Sequence, residues 1–86
     1  TKNNKYQNKD ISTENLDLLN ALKALRLNIA KKKNLPAYTI FHDSSLIQMS
    51  QIKPNNQIDM LKIDGVGETK FQKYGELFIN KIAEHL

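Results

Sequence analysis

The residues whose types and spacing could do chemistry fall in three short stretches. The first is Ile63-Asp64-Gly65-Val66-Gly67-Glu68-Thr69-Lys70, where two glycines separated by one apolar residue lead into helix-forming sequence. A turn of this kind lets the amide N–H groups of Gly65, Val66 and Gly67 face an anion, often a phosphate. The same glycines equally allow two helices to pack closely. The second stretch is Lys31-Lys32-Lys33, a few residues ahead of Tyr38. Lysines follow a phosphate backbone through counterion release, and an exposed ring stacks on any base, so together they suit a single strand. The bland alternatives are a lysine run that complements a helix dipole and a tyrosine that is a core ring with its hydroxyl at the surface. Lys23 and Arg26 on the same helix, and Lys70 and Lys73 after the GVG turn, extend the basic sets. The third stretch, His42-Asp43-Ser44-Ser45, holds the residue types of a hydrolase triad. Triads, however, are assembled from distant segments, and Asp43 has a sufficient role as a helix cap.

Composition narrows the chemistry further. At 86 residues the chain is one small domain with one modest core, too small for a large catalytic cleft. It has no cysteine, which excludes a disulfide framework and a thiolate zinc site and fits a reducing compartment. Neither His42 nor His85 has a second ligand at metal spacing. A G-x-x-x-x-G-K-[ST] phosphate loop is absent, and paired carboxylates for two-metal chemistry are not evident. The expectation is therefore a binding module with no catalytic residue, no metal and no cofactor of its own. Thirteen Lys and Arg against nine Asp and Glu leave a net charge of +4, and no acidic residue lies between Asp17 and Asp43. Positive charge is thus concentrated on one helix and its exit. No apolar run approaches the roughly 18 residues that span a bilayer, and no signal-like segment follows the N-terminus, so a cytoplasmic monomer is expected. The polar start Thr1-Lys2-Asn3-Asn4-Lys5, without an initiator Met, reads as part of something longer, with residues 1–12 as a flexible linker to a domain over 13–86.

The elements that must position these residues are helical. Ser12 or Thr13 can cap a first helix from about Glu14 to Lys33, in which Leu18, Leu22, Leu25 and Ile29 share a face widened by Leu19. Asn34-Leu35-Pro36 ends it. Pro36 to Phe41 has strand-like content but no second strand to pair with, and reads as an extended connector. Asp43 then caps a short helix bearing Leu46, Ile47, Met49 and Ile52, broken at Lys53-Pro54-Asn55-Asn56, and Gln57 to Lys62 form a further short helix leading into the GVG turn. After Glu68, Phe71, Tyr74, Phe78 and Ile82 recur at helical spacing and are expected in the core. Gly75 interrupts that pattern, so either the helix breaks there or another backbone packs against it. The sum is an all-α fold, a compact bundle of about five helices.

The succession LLNALKALRLNIAKKKNLPAYTIFHDSSLIQMS, then DMLKIDGVGETKFQKYGELF, resembles the helicase-and-RNase-D C-terminal (HRDC) domain over about residues 14 to 84. ALR in the first helix, LPAYTIF, the GVG turn and KYG agree in order. The connector and GVGETK-FQKYG look more like the copy in bacterial RecQ DNA helicases than the copies in ribonuclease D. The resemblance implies an auxiliary nucleic-acid-binding module of a RecQ-like ATP-dependent 3′–5′ DNA helicase, bacterial and nucleoid-associated, acting in DNA repair and recombination. Its partner would be single-stranded or partly single-stranded DNA, held weakly and without base specificity. Tyr38 then takes the family's loop aromatic, and Lys31, Lys32 and Lys33 are its basic neighbours. Two alternatives stand beside it, a domain that docks on the helicase core or a repair partner, and an RNA-binding module of a ribonuclease D-like exoribonuclease.

Overall fold

Helix α1 (Thr13–Lys33) ends where its sequence requires. Asn34 takes the left-handed conformation (φ 57°), which asparagine tolerates. The Leu35 amide then reaches back to the Ala30 carbonyl at 2.9 Å and the Asn34 amide to Lys31 at 3.2 Å, closing a Schellman cap. The computed structural model describes the backbone of residues 13–86 and side chains from Asn15 onward, so the expected linker and the Ser12 or Thr13 cap lie outside the described residues.

A single 3-10 turn (Ala37–Thr39) leads to α2 (Asp43–Ile52). Next comes α3 (Gln57–Leu61), capped by the Asn56 side chain, which accepts the Asp59 amide at 2.8 Å. After the GVG turn one continuous helical path comprises α4 (Glu68–Lys70), a π turn (Phe71–Gly75) and α5 (Glu76–Glu84). Among the described residues there is no strand, and the architecture is the all-helical bundle that the sequence implied.

One face of α1 supplies Leu18, Leu19, Leu22 and Ile29 to the core, where they meet Leu46 and Met49 of α2, Met60 of α3, and Phe71, Tyr74, Phe78 and Ile82 of the last helix. A fully buried side chain of this size contributes about 1.5–3 kcal/mol. Phe41 sits at the centre, edge-on to Phe78 with ring centroids 5.0 Å apart and edge-on to Tyr74 at 6.1 Å.

Three expectations change. The connector is not extended, because Thr39 Oγ1 and the Thr39 amide both donate to the Pro36 carbonyl, at 2.6 and 3.1 Å, and curl it into the turn. Asp43 is not the cap of α2 but its first helical residue; His42 occupies the cap position and makes no side-chain cap bond. At Gly75 the change of pattern is a switch from the π turn to α5 within one helical path. The Phe71 ring crosses the glycine, and a Cβ there would meet Phe71 Cε1 at 2.6 Å and Cγ at 2.7 Å. Without glycine, Phe71 could not lie inward beside its own helix.

Candidate nucleic-acid interface

The turn that carries Tyr38 is fixed from below. Ile40 and Phe41 are wholly buried, while Tyr38 stands 61% exposed. Arg26, reaching up from α1, donates from Nη1 to the Phe41 carbonyl at 3.0 Å and pairs with Asp43 Oδ1 at 2.7 Å. Its side chain is only 13% exposed. The Arg26 hydrogen bond holds the Asp43 carboxyl below the usual carboxylate range against the opposing effect of burial, and the charges of Arg26, Lys23 and His42 add to the lowering. Arg26 is thus engaged as a tether between α1, the turn and α2, and Lys23 lies half-buried beside this junction.

Two basic sets that are distant in sequence meet on one face. Lys32 and Lys33 at the end of α1 and Lys73 in the π turn line a groove of about 490 Å³ whose apolar members are Ile29, Tyr74 and Leu77. The Lys33 ammonium lies 5.9 Å from the centroid of the Tyr74 ring, and Lys70 lies 5.9 Å from that of Phe41, within range of a cation–π attraction. Lys31, Lys32, Lys33 and Lys73 are exposed and Lys70 is half-buried. The groove thus combines mobile positive charge with an aromatic and aliphatic floor. Lys31 is outside its lining.

The GVG turn is built differently. Gly65 has φ +87°, a conformation glycine adopts without strain. The Val66 amide donates to the Ile63 carbonyl at 3.1 Å, and the Val66 side chain is buried. Buried Ser45 of α2 donates to the Asp64 carbonyl at 2.6 Å, and Gln48 exchanges two hydrogen bonds with Asp64, each 3.3 Å. A Cβ on Gly65 would fall on Ser45 Oγ. This turn therefore joins α2 to the last helix by close approach. Gly67, the residue before α4, is exposed, and its carbonyl accepts the Phe71 amide at 2.8 Å.

The triad-like residues do not converge. Asp43 faces Arg26, Ser45 faces Asp64, and the His42 ring stacks on Tyr38 at 6.1 Å between centroids and 23° between planes. Among the described residues no group of three or more His, Cys, Asp or Glu could hold a metal ion, and no helix is long and apolar enough to cross a membrane. Sequence reasoning missed the His42 contact. Its signal was the four-residue spacing from Tyr38 across a tight turn.

Comparison with known proteins matches residues 15–82 to the HRDC domain. The ATP-dependent DNA helicase RecQ of Haemophilus influenzae is 39% identical over 79 residues, 92% of this chain and 13% of that protein. The RecQ helicase of Pasteurella multocida is 44% identical over 69 residues, 80% of this chain and 11% of that protein. The chain therefore spans only about an eighth of the length of these relatives. The solved HRDC domain 3 of D. radiodurans RecQ superposes with a TM-score of 0.78 at 27% identity, covering 81% of this chain and 92% of that one.

Proposed function

The chain belongs to the HRDC domain family, and from that premise we propose that it is an auxiliary module of a RecQ-like DNA helicase that holds single-stranded or partly single-stranded DNA. The observation that carries this reading is the meeting of Lys32, Lys33 and Lys73 around one groove, with Tyr38 exposed on the turn that follows α1. Lysines at the ends of long flexible stems follow phosphates without reading bases, and Tyr38 offers a stacking face indifferent to sequence. Binding by the module alone is weak, and that suffices. Beside a motor already engaged on DNA, effective concentration supplies the avidity, and the module shifts the preference among DNA structures.

Fluorescence anisotropy of a labelled single-stranded oligonucleotide tests this at low and moderate salt. If Lys31, Lys32, Lys33 and Lys73 neutralise about four phosphates, log K falls against log salt with a slope near −3. Absence of binding at both salts overturns the reading. It would favour a protein-docking role instead, for which the specific observation is Leu77, 49% exposed in the floor of the groove. In that case the isolated helicase core, and not DNA, perturbs the amide signals of residues 31 to 38 and of Leu77.

A further inference from the structure

We propose that His42 is a second contact of the single-strand surface, its ring extending the stack begun by Tyr38. The inference rests on the single-strand reading above. At the cap position of α2 a Ser, Thr, Asp or Asn would use its side chain to accept a helix amide. His42 does not: its backbone carbonyl accepts the Ser45 and Leu46 amides at 3.1 and 3.2 Å, while its side chain makes no cap bond. The backbone is held and the ring is left available. That ring is exposed and lies nearly parallel to Tyr38, at 6.1 Å and 23°. Buried Phe41, tethered by Arg26, fixes the chain beneath both rings. A base that stacks on Tyr38 therefore meets a paired platform.

Asp43 beside His42 on α2 is paired with Arg26 of α1 at 2.7 Å. The other histidine in the sequence, His85, sits beside Leu18 and Lys53 and serves as the control.

The test is anisotropy with a single-stranded oligonucleotide at constant ionic strength, with folding checked by circular dichroism. His42→Ala binds more weakly than the wild type by roughly fivefold or more, His42→Phe keeps a ring and retains the affinity, and His85→Ala is unchanged. If the wild type binds, is weakened by Tyr38→Ala and is matched by His42→Ala, this inference is overturned and the single-strand reading stands. If the wild type fails to bind, both fall.

Discussion

In the turn before α2, Ile40 and Phe41 are buried while Tyr38 and His42 stand outside; in the turn before α4, Ile63 and Val66 are buried and Ser45 and Gln48 of α2 bond to Asp64. Both carry residues suited to meeting an anion. In the first, the Tyr38 and His42 rings remain open to solvent. In the second, Ser45 and the Val66 amide donate to the Asp64 and Ile63 carbonyls and Gln48 exchanges two hydrogen bonds with Asp64, satisfying groups that burial would otherwise penalise. Glycine spacing identifies a tight turn, and within it the Val66 amide is bonded to the protein's own Ile63 carbonyl.

The contrast can be broken first at Gly65. Gly65→Ala places a Cβ on Ser45 Oγ and strains φ +87°, which should cost about 2–3 kcal/mol of stability through left-handed strain and loss of a buried hydrogen bond. Urea denaturation reads that loss, and strand affinity of the folded fraction stays unchanged. Tyr38→Ala should do the reverse. It leaves the urea midpoint nearly unmoved, because the ring is mostly exposed, and weakens strand binding by about 1–3 kcal/mol. An equal loss of stability in Tyr38→Ala would erase the distinction between the turns.

Smaller effects sharpen it. Lys33→Ala or Lys73→Ala should each reduce the salt slope by about 0.7 if each neutralises one phosphate, whereas Arg26→Ala should lower the melting temperature, since its guanidinium ties α1 to Phe41 and Asp43. The smallest effect concerns acid. Asp43 has a lowered pKa in the folded chain, so its stabilisation is present above the unfolded value near 4 and is lost as pH falls through the lower folded value. Asp43→Asn should therefore flatten the stability curve below about pH 4. Because the carboxylate is 65% exposed, that change should stay below about 1 kcal/mol. Urea titrations at pH 2.5 and 5 would measure it.

Much of the fold was legible because helices declare themselves locally. The leucine stripe of α1, its stop at Asn34-Leu35-Pro36, the short α3 and the inward spacing of Phe71, Tyr74, Phe78 and Ile82 depend on residues within one or two turns of each other. The same local logic misplaced Asp43 as a cap, because its actual partner, Arg26, lies 17 residues earlier on another helix. It also read Pro36 to Phe41 as extended, since strand-like composition there reflects the burial of Ile40 and Phe41 rather than pairing.

The sequence by itself determined the helical class, the helix ends, the concentration of positive charge and the motifs of the HRDC family, all properties of neighbouring residues. Only the tertiary structure decided which charges are available. Packing α1 against the last helix brought Lys32 and Lys33 to Lys73, packing α1 against α2 engaged Arg26 with Asp43, and packing α2 against the GVG turn closed Ser45 and Gln48 onto Asp64. Those pairings span segments far apart in the chain, where no periodicity records which side chains will meet.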